Sequence, residues 1–294
     1  MFSTSPLKIT TKPLVPADPR FGVTHRQELI TGFNQASLTA ATAVVIGAGG
    51  IGGEVAEGLC RKGIGTVHIF DHDVVEASNL NRQHFFNEDI GENKARCLAK
   101  NLARHCHNGT TLVGYPLSFE DAVALNIHLS TTVVVCGVDN SQCRCAVSRH
   151  YRGLTPTLFI AVDLHAECGH VFVQDTNPAA ACFGCAFPKS LAGRKAPCFV
   201  PAAKDILKVT AGLGLYAIDS VLMDRRRNWN YRRVHLAGFA PDVLITVEKL
   251  ADCPLCFLKQ QGSSGRPTAE ALKRPEISQG VPPLAPHYDP EQEH

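Results

Sequence analysis

The chain has 294 residues, 45% of them hydrophobic and 19% charged, with a formal net charge of +2. Such a hydrophobic share supports a sizeable core and excludes global disorder, and the length fits one large α/β domain or two small ones. The near-neutral balance gives no sign of a general nucleic-acid binder.

In chain order, residues 1–20 carry Pro6, Pro13, Pro16 and Pro19 and are expected to form an extended arm. Met1 to Thr10 mixes Ser, Thr, Pro and Lys, so it is not expected to act as an apolar signal region. A short helix is expected from Thr24 to Phe33, with Thr24 as N-cap and Gly32 near its end. Strands and helices then alternate. Strands are expected near 43–47, 66–71, 110–114, 132–136 and 157–163, and helices over 51–62, 92–106, 118–129 and 140–152. This alternation predicts βαβ units in a mostly parallel, doubly wound, Rossmann-like sheet.

After Asp163 the pattern changes. Residues 168–174 alternate as a strand, 178–203 are rich in Pro and Gly and read as loop, and 204–224 read as a helix. Ile206 to Met223 is interrupted by Lys208 and Asp219, so it reads as a buried helix and no membrane span is expected. Arg225-Arg226-Arg227 is expected to close that helix favourably at its C-terminal end. Two antiparallel C-terminal strands are expected near 231–237 and 242–248. The tail from 259 to 294 is rich in Gly, Ser and Pro and is expected to be disordered. The organisation is thus an arm over 1–20, a domain over 21–258 and a tail over 259–294, without internal repeats.

The first βα unit carries the most chemistry. Ala43-Val44-Val45-Ile46 leads into Gly47-Ala48-Gly49-Gly50-Ile51-Gly52, which fits the G-x-G-x-x-G phosphate turn. Glycine lets the chain turn tightly and lets backbone N–H groups approach a nucleotide, with the helix N-terminus facing the phosphates. Asp71 ends the next apolar strand, roughly 20 residues on, where an acid commonly binds a ribose hydroxyl. Asn79-Leu80-Asn81-Arg82-Gln83 and then Lys94 follow. Either cation could be an ordinary surface charge, but both flank the candidate phosphate site, and a triphosphate needs several cations. Asp139 lies at the carboxyl end of the strand Val134-Val135-Cys136, where open α/β sheets bind ligands. It could equally cap the helix that follows.

The chain has twelve cysteines without the dense pattern of a small disulfide scaffold, so reduced thiols and a cytoplasmic location are expected. Cys182-Phe183-Gly184-Cys185 and Cys253-Pro254-Leu255-Cys256 form two C-x-x-C pairs. Each pair could reach one tetrahedral zinc, and four thiolates would close its shell. Redox dithiols or buried small hydrophobes are the other readings. Cys60, Cys97, Cys136, Cys143, Cys145 and Cys168 read as packing residues. His105-Cys106-His107 is a poor metal triplet, because successive helix residues point apart.

Taken in order, the glycine turn, Asp71, the Asn-Arg-Gln segment, Lys94, Asp139 and the paired C-x-x-C motifs resemble the ThiF/MoeB/HesA adenylyltransferases, bacterial relatives of the ubiquitin-activating enzymes. The resemblance runs from about Arg26 to Cys256. It implies that ATP binds, with Gly47, Gly49, Gly50, Gly52, Asp71, Asn79 and Gln83 around the nucleotide. Arg82 and Lys94 would contact its phosphates, and Asp139 would organise Mg²⁺. It implies structural zinc on Cys182, Cys185, Cys253 and Cys256, and a homodimer in which Arg26 reaches the neighbouring subunit's site. Cys198 falls where many relatives carry a cysteine that forms a thioester or persulfide, and Arg194, Lys195 and Lys204 nearby in sequence would favour a thiolate.

The implied reaction is adenylation of the C-terminal carboxylate of a small ubiquitin-like or sulfur-carrier protein, or of a peptide, with a possible second transfer to Cys198. The alternatives are an NAD-dependent oxidoreductase using the same glycine turn, which has no use for Arg82 or Lys94, and a non-catalytic nucleotide-binding module.

Overall fold

The computed structural model describes residues 4–18, 21–127, 129–163, 165–192, 201–223 and 225–257. Nine strands form one sheet among these residues. They are β1 (Leu7–Thr10), β2 (Thr42–Ile46), β3 (Thr66–Phe70), β4 (Thr111–Tyr115), β5 (Val133–Cys136), β6 (Thr157–Val162), β7 (Cys168–Gln174), β8 (Tyr231–His235) and β9 (Val243–Ile245). The order across the sheet is β1-β4-β3-β2-β5-β6-β7-β8-β9. The five central strands, β4 to β6, pair in parallel. The outer pairs are antiparallel: β1 on β4 at one end, and β6 to β9 at the other.

The helices are α1 (His25–Glu28), α2 (Gln35–Ala40), α3 (Gly50–Lys62), α4 (Lys94–Leu102), α5 (Phe119–Ala124), α6 (Ser141–Tyr151), α7 (Phe183–Ala186), α8 (Lys204–Leu222) and α9 (Pro254–Phe257). Central strands such as Val133–Cys136 are buried throughout, as strands covered on both faces must be. Side chains of α3, α4 and α8 share one core with one sheet face, through residues such as Val55, Leu98 and Ile218. The opposite face packs Val44, Val134 and Phe159 against α5, α6 and the four cysteines of the C-x-x-C motifs.

Beyond β2 the chain winds to β3 and β4 on one side, then returns to β5 on the other side of β2. That reversal opens a crevice at the carboxyl ends of β2 and β5. The glycine turn and Asp139 both follow these two strand ends.

The doubly wound sheet, the C-terminal antiparallel strands and the four-cysteine cluster agree with expectation. Several boundaries do not. The helix expected over 24–33 is only His25–Glu28, and the Thr24 hydroxyl donates to the Glu28 carboxylate instead of capping. The helix expected over 118–129 stops at Ala124, after which Asn126 takes a positive φ of 54°. The strand expected over 242–248 shortens to Val243–Ile245. Within the expected arm, Leu7–Thr10 pairs residue for residue with Thr111–Gly114. The stretch 178–203, expected as loop, holds α7 and a 3₁₀ turn at Pro188–Ala192. Arg225 lies just past α8 and meets its Asp219 at 3.0 Å. No helix among the described residues is long and apolar enough to cross a membrane.

Candidate nucleotide site and cysteine cluster

The turn between β2 and α3 is built from glycines for distinct steric reasons. Gly47 has φ +94°, and a Cβ there would also lie 3.0 Å from the Val138 side chain. At Gly52 a Cβ would stand 1.8 Å from the Gly47 carbonyl oxygen, so only glycine lets the helix start pass behind the turn. Gly50 is crowded by Leu207 of α8, with a Cβ 2.6 Å from its Cδ1. Gly49 differs: nothing lies within 4 Å of its Cβ position, and it borders the open cleft. The N-terminal amides of the 13-residue α3 therefore open onto that cleft.

A cleft of about 900 Å³ brings together Gly47, Gly49, Gly50, Asp71, Asn79, Arg82, Gln83, Lys94 and Asp139. Gly52 sits behind the turn and does not line it. Asp71 accepts hydrogen bonds from the Ala48 amide at 2.7 Å and the Asp73 amide at 2.9 Å, which ties the end of β3 to the glycine turn. Burial pushes its carboxyl up from the ordinary range, against the pull of those two amides and of Lys94. Asn93 caps α4 through the Arg96 amide, and its Nδ2 donates to the Asp71 and Asp73 carbonyls. Lys94 opens α4 at the wrong end of the helix dipole for a cation, and its Nζ rests on Asp73 at 3.0 Å.

Arg82 lies on the loop that follows a one-turn 3₁₀ helix at Ala77–Asn79. Its guanidinium donates to the Ser78 carbonyl at 2.5 Å and to Asn81 Oδ1 at 3.0 Å. Asn79 is buried and accepts from the Glu76 amide at 3.0 Å, so it shapes the loop from within. Arg82 rests on groups of its own loop and Lys94 on Asp73 of the loop after β3, and a bound anion can replace both sets of partners.

Asp139 is exposed at the cleft rim. The cap of α6 is Asn140, whose side chain accepts from the Gln142 and Cys143 amides, so the capping role considered for Asp139 is taken by its neighbour.

Three partners were not singled out from sequence. Arg144 lines the cleft and donates through Nε to the Val138 carbonyl at 2.7 Å, and burial pulls its guanidinium down while Cys136 and Asp139 raise it. Asp73 holds Lys94. Glu54, buried in α3, pairs with Lys204 and lies 3.2 Å from His84 Nε2. The i, i+4 spacing of Asn140 and Arg144 is the one signal that could have flagged the arginine; the others depend on contacts between distant elements.

Arg26 is exposed on α1 and does not line the cleft. Cys198, Arg194 and Lys195 lie outside the described residues.

On the sheet face covered by α5 and α6, Cys182, Cys185, Cys253 and Cys256 bring their sulfurs within 4.8 Å of one another. Four of the separations are 3.5–3.7 Å. Thiolates about 2.3 Å from a tetrahedral zinc would sit roughly 3.8 Å apart, so the cage has the right size. The Leu250 amide points at Cys185 Sγ from 3.4 Å, and at Gly184 a Cβ would lie 3.0 Å from Cys253 Sγ. All eleven described cysteines are free thiols. Cys60, Cys97, Cys136, Cys143 and Cys145 pack in the cores as expected, whereas Cys168 is half-exposed.

The ThiF family matches residues 24–223. The adenylyltransferase and sulfurtransferase MOCS3 of Mus musculus is 32% identical over 260 residues, covering 81% of this chain and 55% of its own. The sulfur carrier protein adenylyltransferase of Thermus thermophilus is 28% identical, over 79% of this chain and 89% of its own. Among solved structures, E. coli MccB with ATP superposes with a TM-score of 0.63 at 19% identity, over 76% of this chain and 68% of that one, a likeness of fold. The chain spans about half the length of the first curated relatives it matches, 55% and 41%.

Proposed function

The chain belongs to the ThiF family, and from that premise we propose that it is an adenylyltransferase. It activates the C-terminal carboxylate of a small ubiquitin-like or sulfur-carrier protein, or of a peptide. The observation that carries this reading is the convergence of Arg82 and Lys94 on the same cleft as the glycine turn, Asp71 and Asp139. An oxidoreductase has no use for two phosphate-directed cations beside the ribose acid, and none of the comparisons above favours one.

ATP would lie across the turn, with Asp71 at the ribose and the α3 amides at the phosphates. Arg82 and Lys94 exchange their loop partners for phosphate oxygens. The partner's carboxylate oxygen attacks the α-phosphorus, the bond to the β-phosphate oxygen breaks, and pyrophosphate leaves with its electron pair. An acyl-adenylate remains. Positioning and charge neutralisation carry this step, and it needs no side-chain nucleophile.

Asp71, Asp73, Glu76, Glu120 and Asp139 line the cleft against three cations, Arg82, Lys94 and Arg144. Five acids against three bases cannot by themselves neutralise a triphosphate. That imbalance supports Mg²⁺ held by Asp139, which would supply the missing positive charge. The four-cysteine cage fits zinc, whose contribution would be to tie the segment after β9 to the body of the domain. Arg26 would serve a neighbouring subunit in a homodimer, and Cys198 would accept the acyl group in a second step. Free thiols throughout the described cysteines suit a cytoplasmic setting.

The test is carboxylate-dependent exchange of labelled pyrophosphate into ATP, with candidate small proteins ending in a free carboxylate as partners. Exchange that requires both Mg²⁺ and the carboxylate is expected; tight NAD binding with no response to ATP overturns the reading.

A further inference from the structure

A charge cluster centred on the buried Glu54 lies under the arginine loop, outside the cleft lining. Glu54 sits on the second turn of α3 with only 7% of its surface exposed. It forms an ion pair with Lys204, the first residue of α8, and faces His84 Nε2 at 3.2 Å. Lys204 Nζ also donates to the backbone carbonyl of Arg82 at 3.2 Å. From the far side, Asn101 of α4 donates to the His84 carbonyl at 3.0 Å and to Asp89 at 2.6 Å. The backbone on either side of Gln83 is thus held by side chains from two different helices.

Burying the Glu54 carboxylate is costly unless a cation pairs with it, and the half-exposed Lys204 supplies that cation from the cluster's open side. An apolar pair would hold α3 against α8 with less penalty, as Leu207 and Gly50 already do one turn away. What an apolar pair cannot do is grip a carbonyl. The ammonium has three donors, and after Glu54 takes one it still reaches Arg82. Glu54 pairs with the cation that reaches the Arg82 carbonyl.

We propose that Lys204, held by Glu54, is a positioning residue that fixes the Arg82 backbone so that the guanidinium projects into the phosphate end of the cleft. Lys204 does not line the cleft itself; it acts through Arg82. Its partner Leu207 does line it, so the start of α8 sets both the crowding behind the glycine turn and the height of the arginine loop. The inference rests on the reading of the cleft as an ATP site.

The test compares wild type, Lys204→Met, Lys204→Arg, Arg82→Ala and the Lys204→Met/Arg82→Ala double variant. ATP and adenosine binding are measured by calorimetry, and amide hydrogen exchange over residues 81–84 is measured without nucleotide. Lys204→Met is expected to weaken ATP about tenfold, the scale of coupling between contacting residues, while adenosine affinity holds. Lys204→Arg keeps the charge and a donor and should recover most of the loss. In the Arg82→Ala background Lys204→Met should add little further. Equal losses for ATP and adenosine, or fully additive losses, overturn the proposal by making Lys204 a general packing residue. If wild type binds no ATP, the nucleotide reading has failed instead. The clamp is then decided by exchange alone: faster exchange at 81–84 in Lys204→Met supports it, and unchanged exchange overturns it.

Discussion

At the glycine turn the charged groups are half-exposed and rest on loop partners that a ligand can displace, whereas at the cysteine cluster the sulfurs are mostly buried and lie at mutual distances that suit one ion. Lys94 on Asp73 and Arg82 on the Ser78 carbonyl are held but not locked. The four sulfurs leave no open coordination position. The first arrangement suits binding and turnover; the second suits permanent closure. The cleft lies at the strand ends and the cysteine cluster lies under one sheet face, so a change in one region should be nearly silent in the readout of the other.

The sharpest way to break that division is Cys253→Ser. It should abolish zinc retention and lower stability by more than about 4 kcal/mol, the range reserved for lost metals and similar lesions. Thermal melting and metal analysis check it; a metal-free wild type of unchanged stability removes the structural role. Asp139→Ala should do the reverse. Pyrophosphate exchange is expected to fall by about 10²–10³, the effect of deleting one preorganised electrostatic partner, with the melting temperature unchanged. Wild-type exchange rates in this variant would take Asp139 out of the site.

Within the glycine turn the same contrast can be sharpened further. Gly52→Ala places a methyl against the Gly47 carbonyl and should cost about 1–3 kcal/mol of stability as well as nucleotide affinity. Gly49→Ala meets nothing within 4 Å, so its stability should stay within about 0.5 kcal/mol while ATP binding weakens. Calorimetric binding and denaturant melts of both variants separate the two roles, and parallel stability losses would merge them.

The smallest expected effect lies at Glu54. Burial pushes its carboxyl up, but the bonds and charges of His84 and Lys204 outweigh burial and hold it below its ordinary 4.5. Its contribution to stability is therefore present above pH 4.5 and lost as the pH falls through the lower folded-state value. Glu54→Gln should flatten that part of the acid melting curve; an unaltered acid slope would show that the pair contributes nothing there.

The central strands and the glycine turn were legible in the sequence because their signals are local. An apolar run such as Thr42–Ile46 followed at once by glycines has few other solutions. The paired C-x-x-C motifs were legible for the same reason, although their convergence across 71 residues was an inference by resemblance. The boundary at Ala124 is not legible in the sequence because Asn126, not a glycine, takes the left-handed conformation that closes the helix. The Glu54–Lys204 pair and the hold of Asp73 on Lys94 join residues 150 and 21 positions apart, and no single-sequence periodicity reports such contacts. Asp139 follows the end of its strand at Cys136, and its freedom from capping depends on Asn140 taking the cap, which the sequence leaves open.

The cysteine cluster also bears on how the chain reaches this fold. Cys182 and Cys253 enclose α8, which packs on one sheet face, while the cysteines lie on the other. The chain between them therefore passes around the sheet and comes back. Closing a flexible loop of that 71-residue separation costs about 4 kcal/mol in chain entropy. A metal that joins the two ends in the unfolded chain would meet that cost before α8 has docked, so α8 would have to reach its sheet face as part of a closed loop. A metal that arrives late would find the ends already brought together by the strands. If zinc fills the cage, the timing of its loading would set the order in which the C-terminal segments assemble, and refolding speed would become a function of free zinc.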